Sequence, residues 1–120
     1  MKSVSITIPG VPPSLNRFLG RAGCWDYRTA KNQWTDAVMW AIRANDWKPK
    51  KPWEHAHVTI TYFFPDNRKR DADNYAGKLL LDGLTRGGLI VDDDLQHITT
   101  TIAGDIDRKN PHTVITVREE

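Results

Sequence analysis

Four stretches of the chain carry the hydrophobic pattern of β-strands. Val4, Ile6 and Ile8 alternate with serine and threonine, which is the period of a half-buried strand. Residues 55–64 are rich in β-branched and aromatic side chains, and this composition is typical of a second strand. Two further alternating segments predict strands at residues 98–103 and residues 113–117.

Apolar residues recur at helical spacing in two other stretches. Between residues 29 and 44 they fall three or four positions apart, which predicts an amphipathic helix. A second helix is predicted to begin at Asp73 or Asn74, because either side chain can cap a helix N-terminus. It is predicted to end at Arg86, before two consecutive glycines.

The predicted elements follow one another in the order β-α-β-α-β-β. Strands that are joined both in pairs and across helices favour a mixed sheet of about four strands with two helices packed on it, which is an α+β fold. The 120 residues are enough for one domain over residues 1–120. No apolar run approaches the roughly 20 residues that span a bilayer. The N-terminus lacks a signal-peptide pattern, and the single cysteine cannot form an internal disulfide. We therefore expect a cytoplasmic protein with no membrane partner.

Charge is distributed unevenly between the two parts of the chain. Residues 1–70 hold 12 lysines and arginines against 5 acidic residues, a net charge of +7, whereas residues 71–120 hold 5 against 10, a net charge of −5. Basic segments commonly bind polyanions, and acidic clusters bind metal ions or lie in solvent. Both features in one small domain suggest a protein that holds phosphate and also binds a cation.

The segment RKRDADN places two aspartates, Asp71 and Asp73, one residue apart. Their side chains share a face if the chain is still extended there, because residues i and i+2 of a strand point the same way. Mg²⁺ takes oxygen ligands and usually few carboxylates. A third ligand can come from the acidic triple of residues 92–94, and a calcium-binding EF-hand is excluded because Tyr75 and Ala76 occupy required ligand and glycine positions.

Each of these residues also has a plain structural interpretation. In that interpretation Asp73 is a helix cap and binds no metal, Asp71 lies in solvent, and the acidic triple is an exposed turn. Lys78 can form a surface ion pair with Asp82 four residues later, or it can neutralise charge that develops on a phosphate.

The basic and amide residues in two predicted loops are suited to hold a sugar-phosphate backbone, although a solvated charge run is the alternative. Tryptophans in the loops can stack on unpaired bases. The candidate DNA-binding residues are Asn16, Arg17, Arg21, Arg68, Lys69 and Arg70, and the candidate stacking residues are Trp25, Trp47 and Trp53.

Four motifs, in order along nearly the whole chain, resemble those of the RusA-type Holliday-junction resolvases. SITIPGVPPSLNR resembles the first strand and the P-P-S-x-N-R loop of the family, and RDADN resembles its D-x-D-N motif. KLLLDGL resembles the K-x-x-x-D-A-L segment that follows, with one extra residue before the lysine, and VDDD resembles the later aspartate pair.

The resemblance implies a homodimeric α+β endonuclease that uses Mg²⁺ or Mn²⁺ to nick opposed strands of a four-way DNA junction symmetrically. The aspartates that bind metal in the family correspond to Asp71, Asp73 and the second residue of the aspartate pair, and the family's lysine corresponds to Lys78. The pair is either Asp92 with Asp93 or Asp93 with Asp94, so Asp93 belongs to both choices. A homodimer also suits two symmetric cuts.

Three other functions are compatible with the same residues. The first is a less selective metal-dependent DNA nuclease, and the second is a DNA-binding protein without catalysis whose aspartates are structural. The third is a metal-dependent phosphoesterase that acts on nucleotides, although the basic loops favour a longer substrate. The resemblance favours the resolvase, in the cytoplasm of a prokaryote or on phage or prophage DNA.

Overall fold

The protein folds as a four-stranded mixed sheet with helices packed on it, which confirms the predicted α+β class and element order. A computed structural model describes residues 2–18 and 23–120, with the side chains of residues 23–25 outside this description. The strands are β1 (Ser3–Pro9), β2 (Ala56–Phe64), β3 (Ile98–Ile106) and β4 (His112–Glu119), and the α-helices are α1 (Gly23–Arg43) and α2 (Leu81–Arg86). Two short 3₁₀ helices cover Leu15–Phe18 and Ala72–Tyr75.

The strand order across the sheet is β1-β4-β2-β3. β4 runs antiparallel to both β1 and β2, and β3 runs parallel to β2. α2 lies in the connection between β2 and β3, as expected because parallel neighbours need a crossover. Within the described residues, no helix is long and apolar enough to cross a membrane.

The core lies between one face of the sheet and the two α-helices. Every second residue of β1 and β2 is buried, because alternate side chains of a strand point to the same face. Val38 and Ile42 of α1 and Leu84 of α2 are completely buried against them. α1 begins six residues earlier than the predicted residue 29, at Gly23, so the first helix is longer than its hydrophobic pattern indicated.

The predicted end of the second helix at Arg86 is confirmed, but its predicted start at Asp73 or Asn74 is wrong, because the segment is broken in the middle. A 3₁₀ helix ends at Tyr75, and α2 begins only at Leu81. Gly77 between them has φ of +92°, a left-handed conformation that ends helices. A Cβ at this position would lie 2.7 Å from Ile60 Cδ1, so the close approach to the core also requires glycine.

The sheet has two ends that carry different parts of the sequence. We call the end where β1, β2 and β3 finish the Phe64 end, and the end where β2 and β3 begin the Ala56 end. The loop with Asn16 and the segment RKRDADN follow strands that finish at the Phe64 end. The acidic triple directly precedes β3 and therefore lies at the Ala56 end.

Candidate functional site

A groove at the Phe64 end brings together residues from the loops that follow β1 and β2. Its volume is about 430 Å³, and its walls carry hydroxyl, amide, cationic and carboxylate groups. The lining residues are Ser14, Asn16, Arg68, Lys69, Arg70, Asp71, Asn74 and Tyr75. We call it the Asn16–Asp71 groove. Two predicted DNA-binding segments that are 52 residues apart in sequence, at Asn16 and Arg68, thus share one surface.

Asp66 holds the basic segment in its turn. Its carboxylate accepts hydrogen bonds from Arg68 Nη2 at 3.0 Å and from Arg70 Nη2 at 2.8 Å. The hydrogen bonds from Arg68, together with one from Arg70, hold the pKa of the Asp66 carboxyl well below its usual range. Asp66 is therefore ionised at neutral pH and fixes both guanidinium groups.

The two arginines of this turn differ in exposure. The Arg70 side chain is 17% exposed and lies 4.1 Å above the Phe64 ring, and it also donates to the backbone oxygen of Asp66. Arg68 is 81% exposed, and Lys69 is exposed as well. Arg70 thus shapes the turn, whereas Arg68 and Lys69 present their charges to solvent.

Asp71 and Asp73 lie at the start of the first 3₁₀ segment after β2, and both are exposed. Asp71 is the last extended residue, with φ of −86° and ψ of 134°, and Asp73 is already inside the 3₁₀ helix. The expected extended backbone through Asp73, and a cap formed by Asp73, are therefore wrong. Asp71 occupies the cap position instead, but its side chain makes no capping hydrogen bond.

Lys78 lies in a turn rather than in the second helix. Its Nζ is 5.7 Å from the centre of the Tyr27 ring, and it lines a small cavity together with Asn74. Asp82 forms its ion pair with Arg86 at 3.4 Å. Lys78 therefore shares a cavity with Asn74, a residue that also lines the Asn16–Asp71 groove.

The acidic triple is exposed at the Ala56 end, where Asp93 is in an unusual electrostatic environment. Partial burial raises the pKa of the Asp93 carboxyl. A hydrogen bond with Asp92 raises this pKa further, and so do the negative charges of Asp92 and Asp82. Asp94 instead accepts a hydrogen bond from His97 Nδ1 at 2.5 Å, which lowers the pKa of Asp94. A bound cation would relieve the repulsion at Asp93, so its environment suits a metal ligand.

The structure does not bring the two acidic groups together within one chain. Asp71 lines a cavity with Tyr62 and Gly104 near the Phe64 end, and the backbone oxygen of Asp94 binds the Ile98 amide at the Ala56 end. Tyr62 and Gly104 are paired near the Phe64 end of β2 and β3, and Ala56 and Ile98 are paired at the Ala56 end. The two pairs are six residues apart along β2, which corresponds to roughly 20 Å. Accordingly, no three acidic, histidine or cysteine side chains in the described ranges are grouped so as to hold a metal ion.

The other predicted binding residues have separate locations. Arg17 lines a different groove of about 300 Å³ together with Asp26 and Trp34. Arg21, and the side chain of Trp25, lie outside the described residues. Trp53 is wrong as a base-stacking residue because it is 5% exposed, packed in the core, whereas Trp47 is 44% exposed and stays a candidate.

Some residues of these surfaces were not identified from the sequence. Ser14 and Asn74 line the Asn16–Asp71 groove, and Asp82 contributes to the environment of Asp93. A signal existed for all three, since each belongs to a motif of the resemblance. His97 had no such signal, because its bond to Asp94 depends on the turn that precedes β3.

The fold and the basic groove define a small α+β protein with a surface suited to hold a polyanion. The family model described as Endodeoxyribonuclease RusA matches residues 9–118. The chain therefore belongs to the RusA endodeoxyribonuclease family, and the resemblance found in its motifs is confirmed. This membership supports a Holliday-junction-resolving endonuclease that acts in DNA recombination. A comparison with curated proteins gave no significant match.

Proposed function

We propose that the protein resolves Holliday junctions by metal-dependent hydrolysis, with one nick in each of two opposed strands. The observation that carries this proposal is the Asn16–Asp71 groove, where cations and amides adjoin a carboxylate. Carboxylates repel a phosphate backbone unless a cation bridges them to it. We place this activity in the cytoplasm of a prokaryote, where chromosomal and phage DNA recombine.

The groups around the groove hold and orient the DNA strand. Arg68 and Lys69, whose charges face solvent, bind backbone phosphates, and the Asn16 amide adds a hydrogen bond. Arg70 acts indirectly, because its bonds to Asp66 keep Arg68 in place. Lys78 neutralises charge that develops at the scissile phosphate.

The proposed metal ligands are Asp71 and Asp73 with Asp93, and with Asp92 as a further carboxylate. Their oxygen atoms are the ligands that Mg²⁺ and Mn²⁺ prefer. The pKa of Asp93 is raised first by burial and then by the neighbouring carboxylates Asp92 and Asp82, and a bound cation would relieve that repulsion. One or two such ions would supply an activated water and stabilisation of the leaving oxygen. The aspartates fix that chemistry beside the strand that the groove holds.

A homodimer lets both acidic groups contribute to one site. Mg²⁺–oxygen distances are about 2.1 Å, so carboxylates that adjoin opposite ends of the sheet, at strand levels roughly 20 Å apart, cannot share an ion. If two chains assemble antiparallel, the Ala56 end of one chain can meet the Phe64 end of the other. Two-fold symmetry then produces two equivalent sites, which suits paired nicks in opposed strands.

Cleavage of a four-way junction by wild type and Asp73→Asn, with and without Mg²⁺, tests this function. We expect wild type to cut only with Mg²⁺, and the variant to bind the junction in EDTA without cutting it. Asp36→Asn, an exposed carboxylate on α1, is the matched control and retains cleavage.

A linear duplex of equal sequence separates the resolvase from the rival functions. Equal cutting of the duplex would indicate a less selective nuclease. Junction binding by wild type with no cleavage in Mg²⁺ or Mn²⁺ would indicate a DNA-binding protein whose aspartates are structural.

A further inference from the structure

A second groove lies at the Ala56 end of the sheet, at the opposite end from the Asn16–Asp71 groove. Its volume is about 740 Å³, which is within the range of about 300–1,000 Å³ that ligand sites occupy. One wall is the loop WKPKKPW, which joins α1 to β2, and the other walls are residues next to the start of β1 and the end of β4. We call it the Trp47 groove, because this tryptophan lines it.

Lysine side chains give the Trp47 groove its positive charge. All of them are exposed, and within the described ranges no carboxylate lies at ion-pair distance from any of them. The groove also contains glutamates, but the carboxylate of Glu120 accepts a hydrogen bond from the Thr99 hydroxyl of β3 at 3.1 Å. The lysine charges are therefore available to a polyanion. These lysines are Lys2, Lys48, Lys50 and Lys51.

Two prolines keep the basic loop extended. Pro49 follows Lys48, and Pro52 follows Lys51, and the residue before a proline is restricted to an extended backbone. The loop therefore spreads its cations along one side of the groove, and it loses little conformational freedom when a ligand binds.

The ring of Trp47 adds an exposed aromatic surface to these cations. The residue is 44% exposed, and its ring centre lies 6.3 Å from that of Trp53, which is packed in the core. The side-chain amide of Asn45 donates a hydrogen bond to the backbone oxygen of Trp47, and Lys2 Nζ lies 5.7 Å from the ring centre. The ring is thus held in place before a ligand arrives, with a cation beside it.

We infer that the Trp47 groove binds unpaired nucleotides of a DNA strand, with one base stacked on Trp47 and the adjoining phosphates on the lysines. An aromatic ring among cations is the combination by which proteins hold single strands without reading their sequence. A duplex offers no base face to such a ring, because its bases are stacked on one another. A duplex would therefore contact the lysines alone.

The inference rests on the proposed function and adds a second DNA contact to it. The Trp53 amide donates to the Leu89 oxygen, and the Val91 amide donates to the Trp53 oxygen, both at 3.0 Å. These bonds tie the basic loop to the segment that leads directly into Asp92. The acidic triple repels phosphate, and the neighbouring lysines supply the attraction that holds a strand beside it. The branch point of the proposed substrate, where strands leave one helix for another, supplies the unpaired nucleotides.

Binding of a labelled oligothymidylate of about ten nucleotides, measured in EDTA at several salt concentrations, tests the inference. Trp47→Ala should weaken binding about five- to a hundred-fold without changing the dependence on salt. Trp47→Phe keeps an aromatic ring and should recover most of the affinity. Lys50→Ala/Lys51→Ala should instead reduce the slope of log affinity against log salt by about 1.4, or about 0.7 for each phosphate contact.

The first helix provides matched controls outside the groove. Trp40 is 66% exposed on α1, and Arg43 Cζ lies 5.3 Å from the centre of its ring. Trp40→Ala removes an exposed indole, and Lys31→Ala/Arg43→Ala removes two cations from the same helix. Both controls should bind the oligonucleotide like wild type. Unfolding would not separate affinity from salt slope in the way that the groove variants should.

Several outcomes overturn the inference. They are a wild type that does not bind the oligonucleotide, a Trp47→Ala or lysine double variant that binds it like wild type, and controls that lose as much affinity as the groove variants. A Trp47→Ala variant that loses equal affinity for a duplex of the same length overturns base stacking. Junction cleavage in Mg²⁺ reports separately on the proposed function: a wild type that binds through this groove but cuts nothing refutes that function alone.

Discussion

Two inactive variants should restore activity to each other if each active site takes aspartates from both chains. Asp73→Asn removes a carboxylate at the Phe64 end, and Asp93→Asn removes one at the Ala56 end. These levels of the sheet are separated by six residues of β2, or roughly 20 Å. Carboxylates that share an ion lie within several ångströms of each other. The metal site would therefore combine the Phe64 end of one chain with the Ala56 end of the other.

The expected size of the rescue follows from the symmetry. When the variants are refolded together in equal amounts, about half of the dimers contain one chain of each kind. In such a dimer, one site carries both substitutions and the other site carries neither. We therefore expect about one quarter of the wild-type number of working sites. The mixed dimer should nick one strand of a junction and should not produce the paired cuts that resolve it.

The assay measures nicked and resolved products from a labelled four-way junction in Mg²⁺. Each variant alone should give neither product, and Asp36→Asn mixed with wild type should behave like wild type. A mixture of Asp73→Asn and Asp93→Asn that stays inactive would show that both aspartates serve the same site from the same chain. Activity in either variant by itself would remove that aspartate from the proposed ligands.

Three further predictions concern stability, ionisation and DNA binding. Gly83→Ala should lower the free energy of unfolding by about 1–3 kcal/mol in urea denaturation, because the added Cβ would lie 2.6 Å from Val38 Cβ in α1; unchanged or higher stability would contradict this packing. The Asp66 carboxyl should remain ionised in an NMR titration at pH 3.8, the ordinary pKa of an aspartate, because Arg68 and Arg70 lower the pKa of Asp66. The stability that this ionised carboxyl gives the fold is present above pH 3.8 and is lost only as the pH falls through the lower pKa of the folded state. A titration at the ordinary pKa would exclude these hydrogen bonds. Arg68→Ala should weaken junction binding and reduce the salt dependence by about one phosphate contact, measured by titration at several salt concentrations, and an unchanged slope would mean that Arg68 touches no phosphate.

The fold could be predicted because most of its elements depend on local pattern. Alternation in β1 and β2 places Val4, Ile6 and Val58 in the core, and any sheet that buries one face must follow that period. The broken second helix could not be predicted in this way. Its leucines have helical spacing, but the chain turns at the left-handed Gly77, where a Cβ would lie 2.7 Å from Ile60 Cδ1 of β2, a neighbour that is distant in sequence.

For the candidate site as well, the residue types could be predicted from the sequence but their positions in space could not. The sequence itself determines the residue types that are suited to phosphate and metal, because charge and ligand chemistry belong to the side chain. These are the basic run before Asp71 and the acidic triple after α2. Their positions in space were decided by the tertiary structure alone. β2 and β3 run parallel, so the segment that leaves β2 and the segment that enters β3 must lie at opposite ends of the sheet. Sequence spacing suggested one metal site in one chain, whereas the parallel direction of β2 and β3 separates the two acidic segments, so the metal site that we propose requires two chains.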